Sequence, residues 1–196
     1  MSRRRFLGAV MAAPLTLIVS EKEAAQGSRL IIDDFADASV SRLGTHWMGI
    51  SDRVMGGMSD GELNRSVVAG RACLHLTGVV SRKRNGGFLQ MALDMAERPE
   101  YYDASAYQGL EILVRGNDED YNIHLRTADV RWYDQSYRAT FHAAAQWQRL
   151  RLPWSSFKPH QLDAPLDVSR LTRIGLMGWM REFQVDLALG EIALYA

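Results

Sequence analysis

Three segments in the middle of the chain alternate apolar and polar residues with a period of two. Leu110, Ile112 and Val114 interleave with Glu111, Leu113 and Arg115; Tyr121, Ile123 and Leu125 interleave with Asn122, His124 and Arg126; Tyr137, Ala139 and Phe141 interleave with Arg138, Thr140 and His142. In an extended chain successive side chains point to opposite faces, so this pattern describes strands with one face buried. Arg29–Phe35, Ala72–Thr77, Phe88–Leu93, Trp147–Leu152, Arg173–Met177 and Val185–Tyr195 read as further strands. Ser59-Asp60-Gly61, Asn85-Gly86-Gly87 and Gly116-Asn117-Asp118 read as turns, because Gly and Asn tolerate positive φ. Roughly ten short strands, with no long helical period, predict a sandwich or barrel. Residues 94–108 and 155–170 read as loops with at most a short helical turn.

The chain has 196 residues, enough for one domain with its own core plus a short appendage. Its 47% hydrophobic and 23% charged content excludes a disordered chain. The 23 basic and 23 acidic side chains balance, but residues 1–26 hold four of the former and two of the latter, leaving 19 against 21. A body with net charge −2 gives no electrostatic reason to bind nucleic acid, so no nucleic-acid partner is expected. Cys73 is the single cysteine, so no intramolecular disulfide forms and stability rests on packing.

Residues 1–26 differ from the remainder. Ser2-Arg3-Arg4-Arg5-Phe6-Leu7 precedes an apolar run reaching Val19. A positive start followed by a short apolar stretch is a secretory signal, and the Ser-Arg-Arg-x-Phe-Leu order resembles a twin-arginine signal. The expectation is a signal over 1–26, a β-sandwich domain over 27–196, and export to the periplasm. Phe6 to Val19 is shorter than a bilayer span. No good Ala-x-Ala site precedes the body, so an uncleaved signal would tether the chain to the membrane.

Signatures of catalysis are missing. The sequence has no Gly-x-Ser-x-Gly elbow, no P-loop, no His-Glu-x-x-His and no Gly-x-Gly-x-x-Gly after a strand. His46, His75, His124, His142 and His160 are scattered, without the helical spacing of metal ligands. Asp118-Glu119-Asp120 offers carboxylates to calcium but reads better as a solvated acidic turn. Asp33-Asp34 offers the carboxylates a glycosidase needs, with nothing fixing their separation. The expectation is a protein that is not an enzyme and uses neither metal nor cofactor. Trp132-Tyr133, Trp147 and Trp154 could stack on sugar rings, or pack inside the sandwich.

The informative segment is Ile50-Ser51-Asp52-Arg53-Val54-Met55-Gly56-Gly57-Met58-Ser59-Asp60-Gly61, preceded by Trp47. Val79-Val80-Ser81, Asn85-Gly86-Gly87-Phe88, Asp103-x-Ser105-x-Tyr107-x-Gly109-Leu110, Trp132 with Tyr137, and Trp147 with Leu152-Pro153-Trp154-x-x-Phe157-x-Pro159 follow in order. Together these resemble the complex I intermediate-associated protein 30 family across nearly all of residues 30–195. Lys83-Arg84 and Met180-Arg181-Glu182-Phe183 depart from the family's pattern.

The resemblance implies a galactose-binding-like, jelly-roll β-sandwich. It implies an assembly or chaperone role, since mitochondrial members act on respiratory complex I intermediates, and hence a protein partner from a membrane complex. The jelly roll and the tryptophans support a second expectation, a periplasmic carbohydrate-binding module with a glycan ligand. The candidate binding residues are Trp47, Asp52, Arg53, Met55, Gly56, Gly57, Asn85, Gly86, Gly87 and Trp132. The glycines permit close backbone approach. The Asp52–Gly57 loop either closes one end of the sandwich or recognises a ligand.

Overall fold

The computed structural model describes residues 29–36 and 40–196. Among the described residues twelve strands form two six-stranded sheets. They are β1 (Arg29–Asp33), β2 (Trp47–Ser51), β3 (Asp60–Val68), β4 (Arg71–Val80), β5 (Phe88–Asp94), β6 (Gly109–Arg115), β7 (Glu119–Thr127), β8 (Ser136–Ala143), β9 (Gln148–Pro153), β10 (Lys158–His160), β11 (Leu171–Trp179) and β12 (Phe183–Tyr195). The first sheet runs β3-β4-β12-β6-β9, with β1 also paired to β12; the second runs β10-β8-β7-β11-β5-β2. All pairings are antiparallel. The chain crosses repeatedly between sheets, a jelly-roll β-sandwich. The signal expected over residues 1–26 lies outside the described residues.

The alternating segments behave as the period requires. Leu110, Ile112, Val114, Tyr121, Ile123, Leu125 and Tyr137 are fully buried and face the opposite sheet. Leu89, Met91 and Leu93 of β5 and Ile174 and Leu176 of β11 complete the inner face of the second sheet. The alternate residues of β5, β7, β8 and β11 therefore face away from the core, and this outer face carries the cleft described below.

Two turn expectations are corrected. Asp60 and Gly61 lie within β3, where Gly61 pairs with Gly78 of β4. A Cβ on Gly78 would stand 2.2 Å from the Asp60 carbonyl oxygen and 2.5 Å from the Gly61 Cα, so the glycines serve strand contact. Asn85-Gly86, a pair whose residue types suit a tight hairpin, instead follows a 3-10 turn over Lys83–Asn85 that carries the chain between sheets, since β4 and β5 belong to different ones. Strands β2, β3 and β10 were not expected from the pattern. Residues 155–170, read as a loop, contain β10 and a 3-10 turn over Val168–Arg170.

On the outer face of the first sheet, Glu111 is almost fully buried beneath Arg29, Arg149 and Arg151. Burial alone would raise its pKa, but the hydrogen bonds and charges of these arginines outweigh that and hold it below the usual range.

Candidate functional site

Asp52 organises the loop with the distinctive sequence. It begins a 3-10 turn over Asp52–Met55, capped by the Ser51 hydroxyl accepting from Arg53 N–H and ended by Gly56 at φ +85°. Its side chain points inward and is fully buried. Ser59 donates to it twice, from N–H at 2.9 Å and from the hydroxyl at 2.6 Å. Gly87 N–H and Phe88 N–H donate to the same carboxylate. Burial pushes the Asp52 carboxyl up, yet these hydrogen bonds prevail and hold it below its ordinary value.

The glycines make room for this group. A Cβ on Gly57 would lie 2.4 Å from the carboxyl carbon of Asp52, and one on Gly86 would lie 2.3 Å from Oδ2. The motif is thus a clamp joining the Asp52–Ser59 loop to the segment entering β5. With Asp52 turned inward, Val54 and Met55 turn outward, 73% and 50% exposed.

Those two residues form one wall of an open cleft of about 480 Å3 on the outer face of the second sheet. The opposite wall is the Tyr133–Gln135 segment. The floor crosses β2, β5, β11, β7 and β8, through Ile50, Phe88, Gln90, Met177, Trp179, Arg173, His124, Arg126, Ser136 and Arg138. Gly175 lies on β11 between Arg173 and Met177, and Gln90 Nε2 occupies the space where its Cβ would stand. Tyr133 is 76% exposed at the rim, beside Trp132, which is 66% exposed.

Three arginines meet the cleft in different states. Arg173 is paired with Asp94 at 2.6 Å. Arg126 donates to the carbonyls of Trp132 and Tyr133, fixing the wall. Arg138 donates to the Ser136 hydroxyl at 2.8 Å and the Asp134 carbonyl at 3.0 Å, and its guanidinium lies 4.5 Å from the centre of the Trp179 ring. Among the described residues neither Arg126 nor Arg138 forms a salt bridge to a carboxylate; the Asp134 carboxylate influences both at longer range. Burial lowers the pKa of both, that of Arg138 to about 10, so both remain cations at neutral pH.

His124 sits between them, 7% exposed and edge-on to Trp179 with ring centres 5.3 Å apart. Its Nδ1 is 3.4 Å from the Ser136 hydroxyl, and its buried Nε2 has no hydrogen-bond partner. Burial, then the charges of Arg138, His160 and Arg126, push it down to about 3, so the ring is neutral.

The residues singled out in the sequence separate into groups. Met55 lines the cleft and Trp132 adjoins its rim. Trp47 lies in β2, donating from Nε1 to the buried Asp33 at 2.8 Å. Arg53 holds the Ser59 carbonyl and makes an exposed pair with Asp60. Asp52, Gly57, Gly86 and Gly87 form the clamp, Gly56 ends the turn, and Asn85 closes the 3-10 turn before Gly86. Trp147 donates to the Val68 carbonyl and Trp154 to the Tyr107 carbonyl, which ties both to the scaffold. Among the described residues no group of three or more His, Cys, Asp or Glu side chains is placed to hold a metal ion. Asp118 and Asp120 instead flank His142, at 3.2 and 3.0 Å. Asp33 and Asp34 have separate partners, Trp47 and Arg42. His124, Arg126, Arg138 and Trp179 were not singled out by sequence; their signal was a cationic and aromatic outer face on strands whose inner face is apolar.

Solved structures share this architecture. A family 11 carbohydrate-binding module from Clostridium thermocellum, in complex with a β-1,3-1,4-mixed-linked tetrasaccharide, superposes with a TM-score of 0.65 at 12% identity, covering 86% of this chain and 95% of that one. A family 30 carbohydrate-binding module of a cellulosomal cellulase from the same organism gives 0.60 at 16% identity, covering 86% and 98%. These likenesses establish the fold. No curated protein matches the sequence. The family model for complex I intermediate-associated protein 30 matches residues 34–191, a span that begins in the loop after β1, includes the whole Asp52 clamp and ends within β12. The chain belongs to the complex I intermediate-associated protein 30 family.

Proposed function

We propose that this protein is a non-catalytic assembly factor that holds a segment of a client protein in the cleft of the second sheet. The observation that carries the reading is the outward display of Val54 and Met55 by the Asp52 clamp. A rigidly held turn that exposes two aliphatic side chains beside a cleft suits another protein's apolar side chains, and methionine adapts its shape to varied partners. Membership of a family named for complex I intermediates supports a membrane-complex client. Export forms part of the proposal: with residues 1–26 as signal, the client surface lies outside the cytoplasmic membrane. The test is a photo-crosslinker at position 55. It should capture one membrane-complex subunit stoichiometrically, and adding Val54→Asp should abolish capture without unfolding the protein.

Glycan binding is the second reading. It is favoured by the exposed Trp132 and Tyr133, flat rings suited to sugar faces, on a fold shared with carbohydrate-binding modules. A soluble mixed-linkage glucan at one hundred times its dissociation constant would then stabilise the protein by about 2.7 kcal/mol. An unmoved melting temperature across a glycan panel would remove this reading.

A further inference from the structure

The cleft floor contains more hydrogen-bond donors and positive charge than its own residues satisfy. Arg126 and Arg138 project from adjacent strands onto one outer face, and the partners they have are carbonyls and a hydroxyl, all neutral. With Arg173 matched by Asp94, the remaining charges lining the cleft are these two cations and the Asp134 carboxylate, an excess of one positive charge. Partly buried guanidinium groups without an anion are unfavourable, and a planar fork suits a carboxylate in bidentate fashion.

His124 adds an independent observation. The Ser136 hydroxyl oxygen accepts from Arg138 Nε, and the acceptor within reach of its own proton is His124 Nδ1. A neutral imidazole that accepts at Nδ1 carries its proton on Nε2. That nitrogen is the buried atom without a partner. The cleft thus holds a donor lacking an acceptor beside two cations that share one more distant carboxylate.

We infer that Arg126, Arg138 and His124 receive a carboxylate from an acidic segment of the client protein, with Val54, Met55 and Tyr133 packing on the apolar side chains that flank it. This rests on the reading of the cleft as the seat of a client segment. The aliphatic wall favours a peptide over an acidic glycan, since a sugar face gains most from flat rings.

The experiment is an NMR titration of the full chain with a leucine-flanked oligoglutamate peptide, its oligoglutamine counterpart, an oligogalacturonate and inorganic phosphate. The oligoglutamate peptide should shift the Trp179 indole and the Arg126 and Arg138 Nε resonances. The oligoglutamine peptide should bind at least about 30-fold more weakly, as should the acidic peptide to Arg138→Gln. Should Arg138→Gln fail to fold, the wild-type resonances still decide. Equal binding of both peptides would overturn the anion site and leave the client-segment reading standing. Binding of oligogalacturonate with both peptides silent would overturn the occupant and that reading together. Binding of phosphate alone, or of nothing, would overturn the inference.

Discussion

The hydroxyl of Ser59 donates a 2.6 Å hydrogen bond to the carboxylate of Asp52, closing an eight-residue loop whose outer edge carries Val54 and Met55. The inward carboxylate and the outward apolar pair are two sides of one turn. Residues that hold the loop are therefore distinct from residues that meet a partner.

Asp52→Ala should destabilise the protein by at least about 3 kcal/mol, because it leaves the Ser59 and Gly87 N–H groups buried without an acceptor. Gly57→Ala should cost about 1–3 kcal/mol through collision with the same carboxylate. Combined, the two should cost less than their sum, since the first removes what the second strikes. Urea denaturation of the cycle checks this; strict additivity would mean that the clamp does not act as a unit.

Glu111→Gln should lower stability by about 1–3 kcal/mol, less than the loss of a fully buried pair because its three arginines are partly solvated. The folded pKa of Glu111, like that of Asp52, lies below its unfolded value. The stability each contributes is present above the unfolded carboxylate range and lost as pH falls through the folded pKa. Chemical denaturation at neutral pH and at about pH 3 should show the Glu111→Gln deficit shrinking in acid.

His124 governs a different window. Its folded pKa, about 3, lies below the ordinary 6.5, so between those values the unfolded chain binds the extra proton. Stability is then complete above 6.5 and falls on acidification toward 3, at up to about 1.4 kcal/mol per pH unit. His160 is shifted the same way and His142 oppositely, so the informative quantity is a difference. His124→Phe, which keeps a ring against Trp179, should flatten the slope between about pH 6.5 and about pH 4.5. An unchanged slope would mean that His124 is not held neutral.

Gly175→Ala should displace Gln90, whose Nε2 occupies the space of the new Cβ. A flexible amide yields readily, so stability should change by less than about 1 kcal/mol. The displaced amide would enter the cleft, and binding there should weaken several-fold. Calorimetry and a titration with the oligoglutamate peptide measure the two effects separately.

The strands that sequence revealed most clearly are those whose core-facing residues alternate with polar ones. The patterns at Leu110–Val114, Tyr121–Leu125 and Tyr137–Phe141 match strands β6, β7 and β8 because every second residue packs in the core between the sheets. Strands β2, β3 and β10 escaped for physical reasons. All three lie at sheet edges. Gly49 interrupts β2, where a Cβ would stand 3.0 Å from Leu63. Much of β3 is exposed, and β10 is three residues long with Pro159 at its centre. The Asp52 clamp was visible as a motif, but its division into an inward carboxylate and an outward apolar pair required the turn's geometry. The cleft was least legible. Gln90, His124, Arg138 and Arg173 belong to four different strands, and only the pairing order β5-β11-β7-β8 brings them onto one floor.

The most direct test of the central claim is site-specific photo-crosslinking from position 55 in native membranes, with the adducts identified by mass spectrometry. The account predicts a single stoichiometric membrane-complex subunit, attached through a segment containing Asp or Glu and lost when Val54→Asp is added to a protein that still melts at the wild-type temperature. Adducts to no protein at position 55, with a soluble glucan raising the melting temperature, would contradict it and assign the cleft to sugar.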